Sequence, residues 1–329
     1  MKKPLSRRSL GKGADRLGFY VSNFGRYFAR RLGIGKRWNR AEALARLSDG
    51  ERAVALERAA YYNRLPEGCI LPEGAGTEVG EFRYPFGKKK KYATYFFDLF
   101  RVVSAFPSTC RFAYTFGDVD WETELPEFVK TRPIREGATR SVLMPLNRVR
   151  HFRFVDDQTP FAEKKDAIVF RNVVRGQQHR LDFLRRWADN PMVDAGQVNT
   201  DWGEPERYLK PFMSIDDQLG YKFIACIEGN DVATNLKWVM SSNSLAVMPR
   251  PKFESWYMEG LLEPDVHYVL VKDDYSDLEE RMRHYIGHPE EAEEIIRNAH
   301  RWVDRFRDRD FELTVARLTS DRYFNLTNR

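Results

Sequence analysis

YKFIACIE (221–228) is an apolar run of strand length that stops at Gly229, Asn230 and Asp231. From Val232 to Ser242 the apolar residues Val232, Leu236, Val239 and Met240 return at helical spacing, which predicts a helix over 232–242. SLAVMP (244–249) reads as a second strand, stopped by Pro249 and Pro251. Strand, polar turn, helix and strand in this order form a βαβ unit, and that decides for an α/β protein with largely parallel sheets. A helix that starts after such a turn offers free backbone N–H groups and its dipole to an anion such as phosphate. An ordinary βαβ unit with no ligand reads the same way, and the stretch alone does not choose between them.

Other segments extend the pattern. FAYTF (112–116), AIVF (167–170) and HYVLV (267–271) read as strands, and 95–104 is a buried apolar segment that periodicity leaves open between helix and strand. Residues 39–58 are helical in composition, with a break at Asp49 and Gly50. Ser276 and Glu279 have capping-box spacing. Pro289 suits the first turn of a further helix whose apolar face is Ala292, Ile295, Ile296, Ala299, Trp302, Val303 and Phe306.

A chain of 329 residues, 42% hydrophobic, is long enough for two compact domains. It has no apolar run near the roughly 20 residues of a membrane span and no apolar core to a secretory signal at its start. Cys69, Cys110 and Cys226 make neither a disulfide framework nor a metal-ligand spacing, and a reducing cytoplasmic setting is expected, peripheral at the inner membrane face. Residues 1–40 hold twelve Lys or Arg and one acid, Asp15, a local charge of +11. Since the whole chain carries +6, the rest carries −5. In that arm Leu17, Tyr20, Val21, Phe24, Phe28 and Leu32 share a helical face, and Arg16, Arg26, Arg30 and Arg31 supply cations. Such a helix either contacts an anionic membrane surface or packs on the body with its charges in water. Nucleic acid is not an expected partner. The run at 88–91 is four lysines, read as a solvated face.

Three early motifs, FGDVD (116–120), KTRPI (130–134) and SVLMPLNRVRHF (141–152), precede GNDVATNLKWVMSSNSLAVMPRPKFESWYMEG (229–260) and PDVHYVLVKDDYSDLEERMRHYI (264–286). Together, in this order and spacing, they resemble the family 90 glycosyltransferases, in their bacterial lipopolysaccharide-type branch, over roughly residues 110–325. The resemblance implies a GT-B fold, two facing Rossmann-like domains with a cleft between them. It implies inverting transfer of a sugar from a nucleotide-sugar donor with no bound metal and no cofactor. The expected division is a basic arm (1–40), an acceptor-side domain (41–165), a domain for the nucleotide sugar (166–310) and a C-terminal segment (311–329) packing back on the first domain. The expected donor is a UDP-sugar, of glucose or another hexose, and the expected acceptor a lipopolysaccharide core or related surface glycan or glycolipid.

Inverting transfer needs a base for the acceptor hydroxyl and positive charge or N–H donors for the departing diphosphate. Asp118, at a strand end after Gly117, matches the family's candidate base, with Asp120 as runner-up; a turn-capping aspartate reads the same. Asp118-Val119-Asp120 is also an Asp-x-Asp tripeptide, which in another transferase fold binds a metal, but Asp308-Arg309-Asp310 shows how easily it arises. Arg171 and Arg180 match arginines of the family suited to diphosphate, although Phe170 and Asn172 depart from its pattern. Gly229, Asn230 and Asp231 match its donor-side turn. Leu236 stands where many relatives have an arginine, so Lys237 is expected to supply that charge, and Glu254 to hold the ribose hydroxyls. His151 and His267 are expected to be structural hydrogen-bonding residues. Two other readings stand beside the transferase: a metal-dependent enzyme using Asp118 and Asp120, and a non-catalytic membrane-surface protein acting through the arm.

Overall fold

The first half of the chain contributes strands β1 (Thr77–Glu78), β2 (Arg111–Tyr114), β3 (Glu127–Val129), β4 (Thr131–Pro133) and β5 (Ser141–Leu143). The second half contributes β6 (Lys165–Asn172), β7 (Val193–Gln197), β8 (Tyr221–Ala225), β9 (Leu245–Met248), β10 (Phe253–Ser255) and β11 (Val269–Leu270). The computed structural model describes residues 7–86 and 92–328, with side chains from residue 18 in the first helix. The lysine run at 88–91, the first six residues of the arm and the side chains of Arg16 and Leu17 lie outside the described residues.

Two parallel sheets dominate. One runs β1-β2-β3-β5, parallel except for the short antiparallel edge β1. The other runs β11-β9-β8-β6-β7 and is parallel throughout. Counted from β6 its order is the doubly wound arrangement that reverses between β6 and β8, and ligands of such sheets bind at the carboxyl ends beside that switch. A two-stranded antiparallel ribbon, β4 with β10, ties the halves together.

The apolar run at 221–228 is continuous because both faces of β8 are covered. Phe223 and Ala225 pack into one core with Ile168, Phe170, Leu245 and Val247, while Ile224 and Cys226 pack into the other with Val169, Ala246 and Met248. The second of these cores continues into the first sheet through Phe112, Phe128 and Val142.

The helix expected over 232–242 is a correction: only Leu236–Val239 is helical. The preceding turn uses its polar groups elsewhere, with Gly229 N–H donating to the Asp231 carbonyl at 2.9 Å and the Asn235 amide to the Ala225 carbonyl at 3.0 Å. A single helical turn has almost no dipole to offer an anion. The open segment at 95–104 is a helix, Ala93–Val103. The Ser276 capping box does not form: helix Leu278–Gly287 starts after Asp277, whose carboxylate accepts the Lys272 N–H instead. A full capping box stands between Ser48 and Glu51, opening helix Asp49–Tyr62 at the break expected there. Helix Pro289–Asp304 buries the expected apolar face.

The N-terminal helix, Arg7–Arg31, packs one face on the body: Phe24 lies 4.8 Å from Phe97 and Tyr27 5.0 Å from Phe100, centroid to centroid. The last helix, Arg309–Thr327, crosses to the first sheet, where the Tyr323 hydroxyl donates to the Pro126 carbonyl at 2.7 Å and accepts the Ala113 N–H at 3.1 Å.

Candidate active site

The loop after β2 carries Gly117 and Asp118 to the carboxyl end of the first sheet. Gly117 has φ of +122°, and a side chain there would press on the Tyr92 hydroxyl, so glycine is required for the turn that presents Asp118. The turn after β8 brings Asn230 and Asp231 to the same point from the second sheet. Between them stands Lys130, buried in the step from β3 to β4, with Nζ 2.7 Å from Asp118 Oδ1 and 2.6 Å from Asp231 Oδ2. The Asn230 amide donates to Asp118 Oδ2 at 3.3 Å, and the Thr131 hydroxyl donates to Asp231 Oδ2 at 2.9 Å. One ammonium therefore holds a carboxylate from each half of the chain.

The two carboxylates answer differently to the shared cation. Burial pushes the Asp118 carboxyl up, but the Lys130 charge and hydrogen bond, with the Asn230 amide, outweigh it and leave the group below the usual carboxylate range. Asp231 is almost fully enclosed, and there burial and the charge of Asp118 win over Lys130 and push it up. Asp118 stays 39% exposed, so an ionised carboxylate faces solvent at the junction. Asp120 is also exposed, on the far side of the buried Val119.

Arg180, in helix Gln178–Trp187, reaches the switch point between β6 and β8. Its guanidinium donates to the Glu228 and Ile227 carbonyls, each at 2.8 Å, and to the Val173 carbonyl at 2.7 Å. Among the described residues it has no carboxylate partner, and burial lowers its pKa to about 10. It lies against Gly229, where an added Cβ would sit 3.2 Å from Nη2. The Asn230 side chain is set by Gln177, which donates to it at 2.6 Å. Beside Arg180 a cavity of about 220 Å³ opens at the carboxyl ends of β8 and β9, between Val232, Met248, Phe253 and Tyr275, with His179, Glu228, Arg250, Lys252, Glu259 and Asp273 as polar lining. Burial pushes the Glu228 carboxyl up to about 7, against two stabilising N–H groups from Phe253 and Lys252.

Asp118, Arg180, Gly229, Asn230 and Asp231 thus converge. Arg171, Lys237 and Glu254 do not join them. Arg171 is buried on β6, ion-paired with Asp194 at 2.5 Å and donating to the Asp194 carbonyl at 2.7 Å. Lys237 is fully buried, paired with Glu259 and 5.2 Å from the centroid of the Tyr257 ring, so its charge is already met. Glu254 lies opposite Arg132 in the β4–β10 ribbon, is 1% exposed, and accepts from Arg132 at 2.8 Å, from Arg64 at 3.1 Å and from the Tyr61 hydroxyl. In the structure it fastens the ribbon.

Two residues enter that sequence reading passed over as site residues. Lys130 was visible only as part of KTRPI, and no spacing rule joins it to carboxylates from two other loops. Arg150, in the motif 141–152, is exposed, has no ion-pair partner among the described residues, and its charge acts on Asp118, Arg180 and His151 together. His267 accepts the Glu263 N–H at 3.0 Å, as a structural histidine does, but neither ring nitrogen of buried His151 has a hydrogen-bond partner. Burial first, then Lys130, Lys237 and Arg150, hold His151 neutral.

Comparison with known proteins fits this arrangement. Residues 146–310 match the model of Glycosyl transferase family 90. The chain is 42% identical over 295 residues to O-glucosyltransferase LpsA of Dichelobacter nodosus, covering 88% of this chain and 90% of that protein. It is 30% identical over 126 residues to human Protein O-glucosyltransferase 3, covering 37% of this chain and 24% of that one. Against Protein O-glucosyltransferase 2 of Danio rerio it is 29% identical over 167 residues, covering 48% and 33%. No helix among the described residues is long and apolar enough to cross a membrane. A similarity this extensive makes the chain a glycosyltransferase and a bacterial-type member of glycosyltransferase family 90.

Proposed function

We propose that the protein is an inverting transferase of the GT-B type, moving glucose or another hexose from a UDP-sugar to a lipopolysaccharide core or related surface glycan. The observation that carries the reading is the exposed, ionised Asp118 at the meeting of the two parallel sheets, with the unpaired Arg180 across the turn from it. In this reading the nucleoside lies in the cavity at the ends of β8 and β9, and its diphosphate faces Arg180, the turn at 229–231 and Arg150. The acceptor hydroxyl attacks the anomeric carbon from the Asp118 side. As the new C–O bond forms, its proton passes to the Asp118 carboxylate and the bond to the β-phosphate oxygen breaks. UDP leaves with the electron pair, its added negative charge met by Arg180 and Arg150.

The likeness to an O-glucosyltransferase over most of both chains supports glucose as the sugar in this reading. A transferase dependent on metal at Asp118 and Asp120 gains no support from the geometry. Asp118 shares its cation, the Lys130 ammonium, with Asp231 rather than with Asp120. Calorimetric titration with UDP and then UDP-glucose, in EDTA, tests the proposal. Binding in EDTA, with donor hydrolysis lost in Asp118→Asn, is expected. Binding only after manganese is added would overturn it.

A further inference from the structure

We propose that a cleft under the N-terminal helix is a binding site for the phosphate of an anionic lipid headgroup, by which the protein docks on a membrane surface. The cleft, about 360 Å³, is lined by four arginines from three separate helices: Arg26 and Arg30, Arg101 and Arg317, with Ile34 and Leu313 beside them. None of the four has an ion-pair partner among the described residues. Arg26 donates to the Asn23 side chain and Arg30 to the Lys36 carbonyl, and the buried Nε of Arg317 has no partner. The acid that acts on Arg101, Asp98, is itself pushed up to about 7 by burial.

The cations also act on one another. Burial, then the charges of Arg148 and Arg26, lower Arg101 to about 10, and burial, then Arg30 and Arg26, lower Arg317. A folded chain that crowds arginines in a partly dry cleft without a counter-charge carries a cost that a multivalent anion relieves. Phosphate suits such a cluster, since each guanidinium can donate two parallel hydrogen bonds to its oxygens.

The surroundings favour a lipid source over a soluble one. Among the described residues, four of the five most exposed large apolar side chains (Leu32, Val21, Ile34 and Phe86) lie on the helix or next to it. Val21 and Phe28 on the helix, with Leu32 just past its end, form one exposed stripe, Arg26 and Arg30 lie on the opposite flank, and small residues Ser22, Gly25 and Ala29 stand between. A helix of this pattern lies flat in a bilayer interface, with apolar groups inserted on one side and phosphates engaged on the other. The proposal does not depend on which sugar the enzyme transfers.

The test is co-sedimentation of the full chain with vesicles of phosphatidylcholine alone and of phosphatidylcholine doped with phosphatidic acid. A second arm titrates inorganic phosphate without vesicles. Binding to the doped vesicles only is expected, with Arg101→Gln and Arg317→Gln each weakening it roughly fivefold, the share of one cation at an anionic surface. Soluble donor hydrolysis should stay unchanged. Neither variant should melt below the wild type, because each relieves like-charge crowding. Leu32→Ser, at an exposed position, provides a variant that leaves the fold alone and should weaken vesicle binding as well. Undiminished vesicle binding by both arginine variants would overturn the proposal. So would tight binding of inorganic phosphate with no preference for doped vesicles, or no binding in either arm.

Discussion

Buried cations in this protein fall into two groups, and the difference between them separates structure from site. Arg58 with Glu312, Arg132 with Glu254 and Lys237 with Glu259 are enclosed ion pairs, each saturated by further hydrogen bonds or rings. Arg180 at the switch point, and Arg101 and Arg317 under the N-terminal helix, are partly or wholly enclosed and have no carboxylate partner among the described residues. A charge taken out of water must be met by something. Where the fold supplies the partner, the pair fastens elements together. Where it does not, a ligand is the natural partner. Lys130 stands between the groups, since one of its two carboxylates is enclosed and the other faces solvent.

The largest expected effect is at that solvent-facing carboxylate. Asp118→Asn should lower kcat for transfer by about 10²- to 10⁴-fold, the usual contribution of a general base, with an unchanged circular dichroism spectrum. A loss under tenfold, measured with saturating donor and acceptor, would remove Asp118 from the chemistry. Next, removing one member of an enclosed pair should act on stability and not on donor affinity. Glu312→Gln leaves the buried Arg58 uncompensated and should cost about 3–5 kcal/mol in denaturant unfolding, while UDP affinity of the folded fraction is retained.

The unpaired cation should behave in the opposite way. Arg180→Gln removes charged hydrogen bonds to the diphosphate and should weaken UDP binding by about 1.5–3 kcal/mol, roughly ten- to a hundredfold, in a calorimetric titration. Its melting temperature should fall less than that of Glu312→Gln, because the carbonyls of Val173, Ile227 and Glu228 that lose a donor are neutral and no buried charge is left behind. If Arg180→Gln unfolds the protein while Glu312→Gln does not, the division between structural and ligand-directed cations is wrong.

How much of this could be read from the chain depends on the range of the interaction. Strands β6, β8 and β9 were legible because a buried parallel strand needs an unbroken apolar run, and the family motifs placed Asp118, Arg180 and the turn at 229–231. The helix after that turn was overdrawn, because the apolar spacing of Val232, Leu236, Val239 and Met240 serves burial in an irregular turn as well as in a helix. Lys237 and Glu254 illustrate a deeper limit. A Lys or Glu in a motif looks the same in sequence whether it meets a ligand or a partner such as Glu259 or Arg132. Those pairings join residues 22 and 122 positions apart. The arm hid its second face for the same reason: Arg101 and Arg317 join Arg26 and Arg30 only after folding.

The smallest expected effect, and the one that bears on the cavity rather than the junction, is a dependence on pH set by Glu228. Its carboxyl is raised from the ordinary 4.5 to about 7, chiefly by burial, with Glu259 adding to the rise and the Phe253 and Lys252 N–H groups and the Lys252 charge opposing it. A carboxyl whose folded pKa is raised binds its proton more tightly in the folded state. Its stabilising contribution is therefore complete below pH 4.5 and is lost as pH rises to about 7. Glu228→Gln keeps the acceptor oxygen but not the titration, so its melting temperature should gain on the wild type between pH 5 and pH 8. Asp118 has the opposite sign, contributing above the ordinary carboxylate range and losing its contribution as pH falls through its lowered pKa, so the two groups act in separate windows. An anionic donor beside an ionised Glu228 is repelled, and UDP affinity of the wild type should drop across the same interval by under about tenfold relative to the variant. His179 also lines the cavity, with Arg250, Lys252, Glu259, Asp273 and Tyr275, and burial holds it below its ordinary value; its titration persists in Glu228→Gln, so the comparison of wild type with that variant isolates the Glu228 carboxyl. A wild type and a Glu228→Gln variant with parallel pH profiles for UDP would place the diphosphate away from β8, and with it the nucleoside outside the cavity.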